Sequence, residues 1–394
     1  MKKLILPLVI LLLFAIEILR IYFIMPFPGS QYDNTIRIAW FFNKNIWWIR
    51  SILLIIVFWR VYLILKTKKY RRFSFTVFFM LLYGLIAYFL NFKLNADKMF
   101  YQPQNKIFTA AENSSVSPGK LIIGIEINGE AKAYPIEIIG YHHQVRDNVG
   151  GKEIMVTYCT VCRTGRIYDP VINGKLETFR LVGMDHFNAM FEDATTKSWW
   201  RQATGEAIAG KLKGTSLTEI VSEQMTLKNW LRKYPDSKIM QPDTNFLKAY
   251  DDLVGFDNGT IKSDLEYRNF GSWQFKSWIV GIEFNGNSKS YDWNNLIETK
   301  VINDSLPGLP VVIAIENDTA SFHVWNRKVN NNYLQFKMDS TGSYLEDLQT
   351  NSIWNYDGIC IEGDLKGKHL EIVKASQEFL HAWEEFHPES IRYK

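Results

Sequence analysis

The sequence predicts a multi-pass helical membrane anchor followed by a β-rich (α+β), internally duplicated domain outside the cytoplasm. Three observations carry this. The first 94 residues hold three apolar stretches of membrane-spanning length, the charge changes sign beyond them, and two later segments are copies of one another.

The apolar stretches are Leu4–Met25, Ile46–Leu65 and Phe73–Phe92. Each is about the 20 residues that cross a hydrocarbon core. The first resembles a secretory leader, but no small-x-small cleavage site follows it and two more spans come after, so it reads as retained. The third carries no charge. The second has Arg50 and Arg60 near its ends, where long basic side chains snorkel to the interface. Glu17 and Arg20 stand three apart in the first span, on one helix face. They read as a local ion pair that stitches the helices together, with a polar pathway as the other role of intramembrane charge.

Residues 1–94 hold 13 Lys and Arg against Glu17 and Asp33, or +11, while the remaining 300 residues carry −7. The formal +4 of the whole is a sum of unlike parts and gives no reason to expect nucleic acid as a partner. The basic residues Lys2, Lys3, Lys66, Lys68, Lys69, Arg71 and Arg72 flank the spans on one side. The positive-inside rule puts that side in the cytoplasm. Residues 95–394 and the loop between spans one and two then lie outside, on a protein of the inner or cytoplasmic membrane.

Residues 95–119 are polar and read as a linker. Gly124–Asp169 and Gly281–Asn326 then align without a gap, 157 residues apart. GIEINGEAKAYPIEIIG becomes GIEFNGNSKSYDWNNLI, and IAGKLKGTSL (208–217) returns as IEGDLKGKHL (361–370). The organisation expected is a first repeat at 120–242, a connector at 243–273, and a second, degenerate repeat at 274–394. Short β-branched and aromatic runs separated by Asn-Gly and Gly-Gly turns predict strands. Thr226–Lys233 and Phe379–Phe386 predict a closing helix in each repeat, stopped before proline.

The copies differ where chemistry is expected. His142, His143, Cys159 and Cys162 fall on Thr299, Lys300, Glu316 and Thr319 of the second copy. Cys159 and Cys162 lie in VTYCTVCRTGRIYD, a turn between two strands, without the helix start that lowers thiol pKa in thioredoxin-type pairs. Three readings stand: one knuckle of a metal site, a redox-active dithiol, or an inert disulfide of an oxidising compartment. A zinc or copper site would need histidine, and His142, His143 and His186 are the candidates; Met184 and Met190 would suit Cu(I). Arg163 could hold an anion or lower a thiol pKa. Convergence of His142, Cys159 and Cys162 is expected, with His143 pointing away if both histidines share a strand. Cys360 reads as a small buried hydrophobe.

On AYPIEIIGYHHQVRDNVGGKEIMVTYCTVCRTGRIYD and SWWRQATGEAIAGKLKG the chain resembles domain-of-unknown-function family 3179. The resemblance implies His142, Asp147, Cys159 and Cys162 as the positions of that family's motif residues, with Asn188 and Asp193 later. This chain departs from the motif with Thr160-Val161 between the cysteines, Arg163 in place of glycine, and His143 in place of an acid. The resemblance implies a fold group and no activity.

Overall fold

The computed structural model describes residues 4–31 and 35–394; Lys2 and Lys3 lie outside the described residues. Two compact units emerge. One comprises Met1–Tyr101, Glu177–Arg201 and Glu206–Ser216; the other comprises Gln102–Leu176, Gln202–Gly205 and Leu217–Lys394. The chain enters and leaves the first unit from within the segment expected as one repeat.

The first unit contains α1 (Ile5–Tyr22), α2 (Ile36–Lys66) and α3 (Tyr70–Phe92). All three are long and apolar enough to cross a membrane. Helix α2 starts ten residues before the expected span, so much of the expected loop is helical. Asn43, Lys44 and Asn45 interrupt the hydropathy, but none of these side chains breaks a helix.

The Glu17 carboxylate is fully buried and is gripped from the other helices. Arg50 donates Nε and Nη2 to Glu17 Oε1 and Oε2, at 2.5 and 2.6 Å. Tyr83 Oη donates to Oε1 at 3.1 Å and Asn91 Nδ2 to Oε2 at 3.2 Å. Arg20 stands 4.0 Å from Glu17 and donates instead to Asn91 Oδ1 at 2.7 Å. This corrects the sequence reading twice: the main partner of Glu17 lies on α2, and Arg50 turns inward. A two-toothed guanidinium–carboxylate pair is the stronger geometry, and burial of one charge demands the other.

The same unit carries a four-stranded sheet in the order Ala207–Ala209, Trp199–Arg201, Asn188–Asp193, Phe179–Asp185. Val182, Met190, Trp199 and Ile208 pack with Ile24, Ile36 and Ala39 at the α1–α2 end of the helices. Met184 N donates to Ile24 O at 2.7 Å, and Arg180 reaches Asp97 at 3.6 Å. The sheet thus sits at the end of the helices away from the basic 66–72 link.

The second unit begins inside the expected linker, which is structured: Phe108–Thr109 pairs with Lys238–Met240. The hairpin β1 (Leu121–Ile127) and β2 (Glu130–Pro135) turns at Asn128 and Gly129, both with positive φ, as a tight Asn-Gly turn requires. Helix α4 (Ile136–His142) follows, then β3 (Gln144–Val149), β4 (Lys152–Cys159) and β5 (Thr164–Tyr168) in one antiparallel sheet. Later in the chain come β6 (Trp278–Phe284), β7 (Asn287–Asp292), α5 (Trp293–Thr299), β8 (Val301–Leu306), β9 (Leu309–Ile315) and β10 (Phe322–Asn326).

Each hairpin lays its glycine under a tryptophan. An added Cβ at Gly124 would stand 2.5 Å from Trp230, and at Gly281 2.3 Å from Trp383. Each indole is pinned by an Nε1–H bond of 2.7 Å, to Ser237 and Ser390. The residues of the expected connector are core members: Tyr250, Phe256 and Ile261 pack with Tyr134, Ile139 and Tyr158.

Candidate thiol site

Cys159 ends β4 and Cys162 lies in the turn to β5, as the strand-turn-strand pattern predicts. Both are fully buried, as is Cys360. The turn is held by residues from much later in the chain. Lys276 Nζ donates to the Val161 carbonyl, between the two cysteines, at 2.7 Å and to the Leu265 carbonyl at 2.6 Å. Phe379 N donates to the Cys162 carbonyl at 3.0 Å, with the Lys276 ammonium over the Phe379 ring at 4.5 Å. Thr160 Oγ1 donates to Glu266 Oε1 at 3.1 Å.

Burial pushes Lys276 down to about 8, although the neighbouring Cys162 and Cys159 pull the other way. His381, stacked on Phe275 at 4.4 Å, is pushed down to about 3 by burial and then by Lys276. Below about pH 8 Lys276 is therefore an ammonium, close enough to Cys162 and Cys159 to interact with both. Sequence reasoning missed Lys276, Glu266 and His381. They lie over 100 residues from the cysteines and match no motif, so only packing reveals them.

The two histidines do not share a strand. His142 closes α4, and its Nε2 pairs with Tyr250 Oη at 2.7 Å among Tyr141, Phe246 and Tyr250. His143 caps the helix with φ 57°, and its Nδ1 pairs with the Tyr158 carbonyl at 2.9 Å. Tyr158 N answers to His143 O at 3.0 Å, so His143 continues the β3–β4 register opposite the residue before Cys159. The expectation of opposite faces on one strand therefore gives way to a helix end followed by a left-handed cap. Burial lowers the His143 pKa, which favours the neutral ring. Among the described residues, no three His, Cys, Asp or Glu side chains group as a metal site.

Asp147 is a fold-holding hub. It accepts from Tyr134 Oη at 2.7 Å and pairs with Lys132 and Lys106, each at 3.1 Å. Burial works to raise its carboxyl, but these partners hold it below the usual range. Arg163 turns from the thiol turn to Gln377 Oε1, 2.8 Å, and to the Phe256 and Asp257 carbonyls. His186 and Asn188 belong to the first unit, at a hairpin where His186 Nδ1 pairs with Asp185 at 2.7 Å.

No curated protein and no solved structure matches this chain. Residues 103–390 match the family described as protein of unknown function (DUF3179), and the chain belongs to that family.

Proposed function

We propose that this is a multi-pass protein of the cytoplasmic membrane whose duplicated outer domain works through the Cys159–Cys162 thiol pair of its first copy, exchanging it with a disulfide partner. The observation that carries the thiol reading is Lys276, whose ammonium bonds the carbonyl between the two cysteines. In the exchange, one thiolate attacks a disulfide of the partner and releases a partner thiolate. The second cysteine then displaces the mixed disulfide. Two electrons pass to the partner, and the two cysteine protons end on its two sulfurs. Burial of both sulfurs restricts the reaction to partners that engage the turn.

Duplication is supported by matching geometry at one offset. Asn128 and Asn285 have φ of 51° and 50°, and the helix caps His143 and Lys300 have 57° and 63°. Tyr134 donates to Asp147, and Tyr291 to Asp304. Orientation is supported by the basic 66–72 link at one end of the helices and the packed sheet at the other.

The test is to equilibrate detergent-solubilised protein in glutathione buffers of graded potential, alkylate it, and weigh the Cys159–Cys162 peptide. A reversible two-electron transition that excludes Cys360 is expected. A disulfide that survives mild reductant, with no metal bound, would refute exchange in favour of a structural staple. Metal analysis with and without Cys159→Ser runs alongside, and stoichiometric zinc or copper lost in the variant would replace the exchange reading with a metal site. A reporter fused after Leu94 should report an extracytoplasmic position, and a cytoplasmic signal would overturn the compartment.

A further inference from the structure

A cavity of about 540 Å³ opens in the second unit, walled by Lys120, Asp257, Arg268, Trp278, Trp293 and Gln377 among others. Its volume falls in the range of small-molecule sites. We propose that it is a second ligand site of this protein, built for a small hydroxylated molecule bearing a carboxylate or phosphate.

Unmet hydrogen-bonding capacity carries the argument. Arg268 Nε, Trp278 Nε1, Trp293 Nε1, Gln377 Nε2 and Asp257 Oδ1 are buried atoms without a partner, and all belong to residues of this one wall. Native interiors leave few such atoms, and each one calls for an explanation. Four of the five are donors, so the missing group is rich in acceptors. The fifth is a carboxylate oxygen, which wants a hydroxyl.

Charge points the same way. Arg268 has no carboxylate within ion-pair distance among the described residues, and neither has the buried Arg163 behind it. Both guanidiniums lie over the Trp278 ring, at 3.9 and 3.8 Å from its centre. The other charges of the wall are already matched. Lys120 pairs with Glu137, and Asp318 accepts from Thr226, Asn229 and Ser321. Burial pushes Asp257 up to about 6, so it offsets the two cations only in part. Both are hydrogen-bonded to neutral oxygens, Arg268 to Asn294 Oδ1 at 3.1 Å, but a charge withdrawn from water without a counter-charge is costly, and an oxyanion would relieve that cost.

The experiment is calorimetric titration of the full chain in detergent with gluconate, glycerol 3-phosphate and uncharged glucose. One or both anions should bind with Kd below about 1 mM. Arg268→Gln should weaken that binding at least tenfold. Trp293→Phe, which keeps a ring and removes the donor, should weaken it severalfold, and Cys159→Ser should leave it unchanged. Which anion binds tells carboxylate from phosphate. If Arg268→Gln fails to fold, Arg268→Lys, which keeps the charge and loses Nε, reads the same contact. The proposal falls if neither anion binds, if glucose binds as well as they do, or if the folded Arg268 variant binds like the wild type. Retention of binding in Cys159→Ser separates this site from the thiol exchange, so either reading can fail alone.

Discussion

Raising the pH above 8 should stabilise the protein relative to a Lys276→Met variant. Lys276 is 4% exposed and burial pushes it down to about 8 from an ordinary value of 10.5. The folded form therefore gives up its proton before the unfolded chain does. Below pH 8 both forms are charged and the folded one carries the whole cost of the buried ammonium. Between 8 and 10.5 the unfolded chain binds more protons, so stability rises with pH. At about 1.4 kcal/mol per pKa unit, the relief approaches 3 kcal/mol. That corresponds to roughly 5–10 °C in thermal midpoint for a domain of this size. The assay is thermal unfolding by tryptophan fluorescence from pH 7 to 10.5, reported as wild type minus Lys276→Met, so groups titrating in both proteins cancel. A difference that stays flat, or falls with pH, would refute the burial argument. A Cys159→Ser, Cys162→Ser background refines it. The thiols pull Lys276 upward, so their removal should move the start of the rise below pH 8.

Gly124→Ala and Gly281→Ala should each cost about 1–3 kcal/mol, because the new methyl meets a pinned indole; matched drops in urea midpoint would check this. Glu17→Gln should lower the stability of the helical unit in nanodiscs by about 3–5 kcal/mol, since Arg50 loses its buried partner, and Arg50→Met together with Glu17→Gln should recover part of the loss. Asp257 is pushed up to about 6, so the folded form holds its proton longer than the unfolded chain does; the stability difference wild type minus Asp257→Asn, read from urea unfolding between about pH 4 and 6, should fall as pH rises.

What the sequence revealed was local. The Asn-Gly hairpins, the closing helices and the cysteine turn each depend on neighbours within a dozen residues, so pattern sufficed. The helix at Ile136–His142 went unread, because isoleucines favour strands; packing of Ile136, Ile138 and Ile139 in the core selects the helix. That choice moved His142 to a helix end and His143 into a left-handed cap. The packing of Ile24, Ile36 and Ala39 with Val182, Met190, Trp199 and Ile208 joins residues more than 140 positions apart, and no periodicity encodes such a contact. Lys276, Glu266 and Asp257 were hidden for the same reason. Their roles come from what surrounds them, and a lone lysine or acid in a loop looks solvated in sequence.

On the duplication proposed above, the two matching turns differ in how they are closed. Cys159 faces Thr164 across its hairpin, and Glu316 faces Ser321 across the matching one, so the positions correspond in register as well as in sequence. Glu316 is fully committed. It receives both Nη atoms of Arg232, at 2.7 and 2.9 Å, and pairs with His323 Nε2 at 2.8 Å. Burial would raise its carboxyl, but these partners hold it below the usual range. That turn is closed by an ionic lock whose members satisfy one another and leave nothing to react. At the Cys159–Cys162 turn there are instead two cysteines and a lysine that reaches backbone carbonyls, not a carboxylate. The cysteine turn is closed by a buried lysine beside sulfur, and the thiol exchange proposed above rests on that difference.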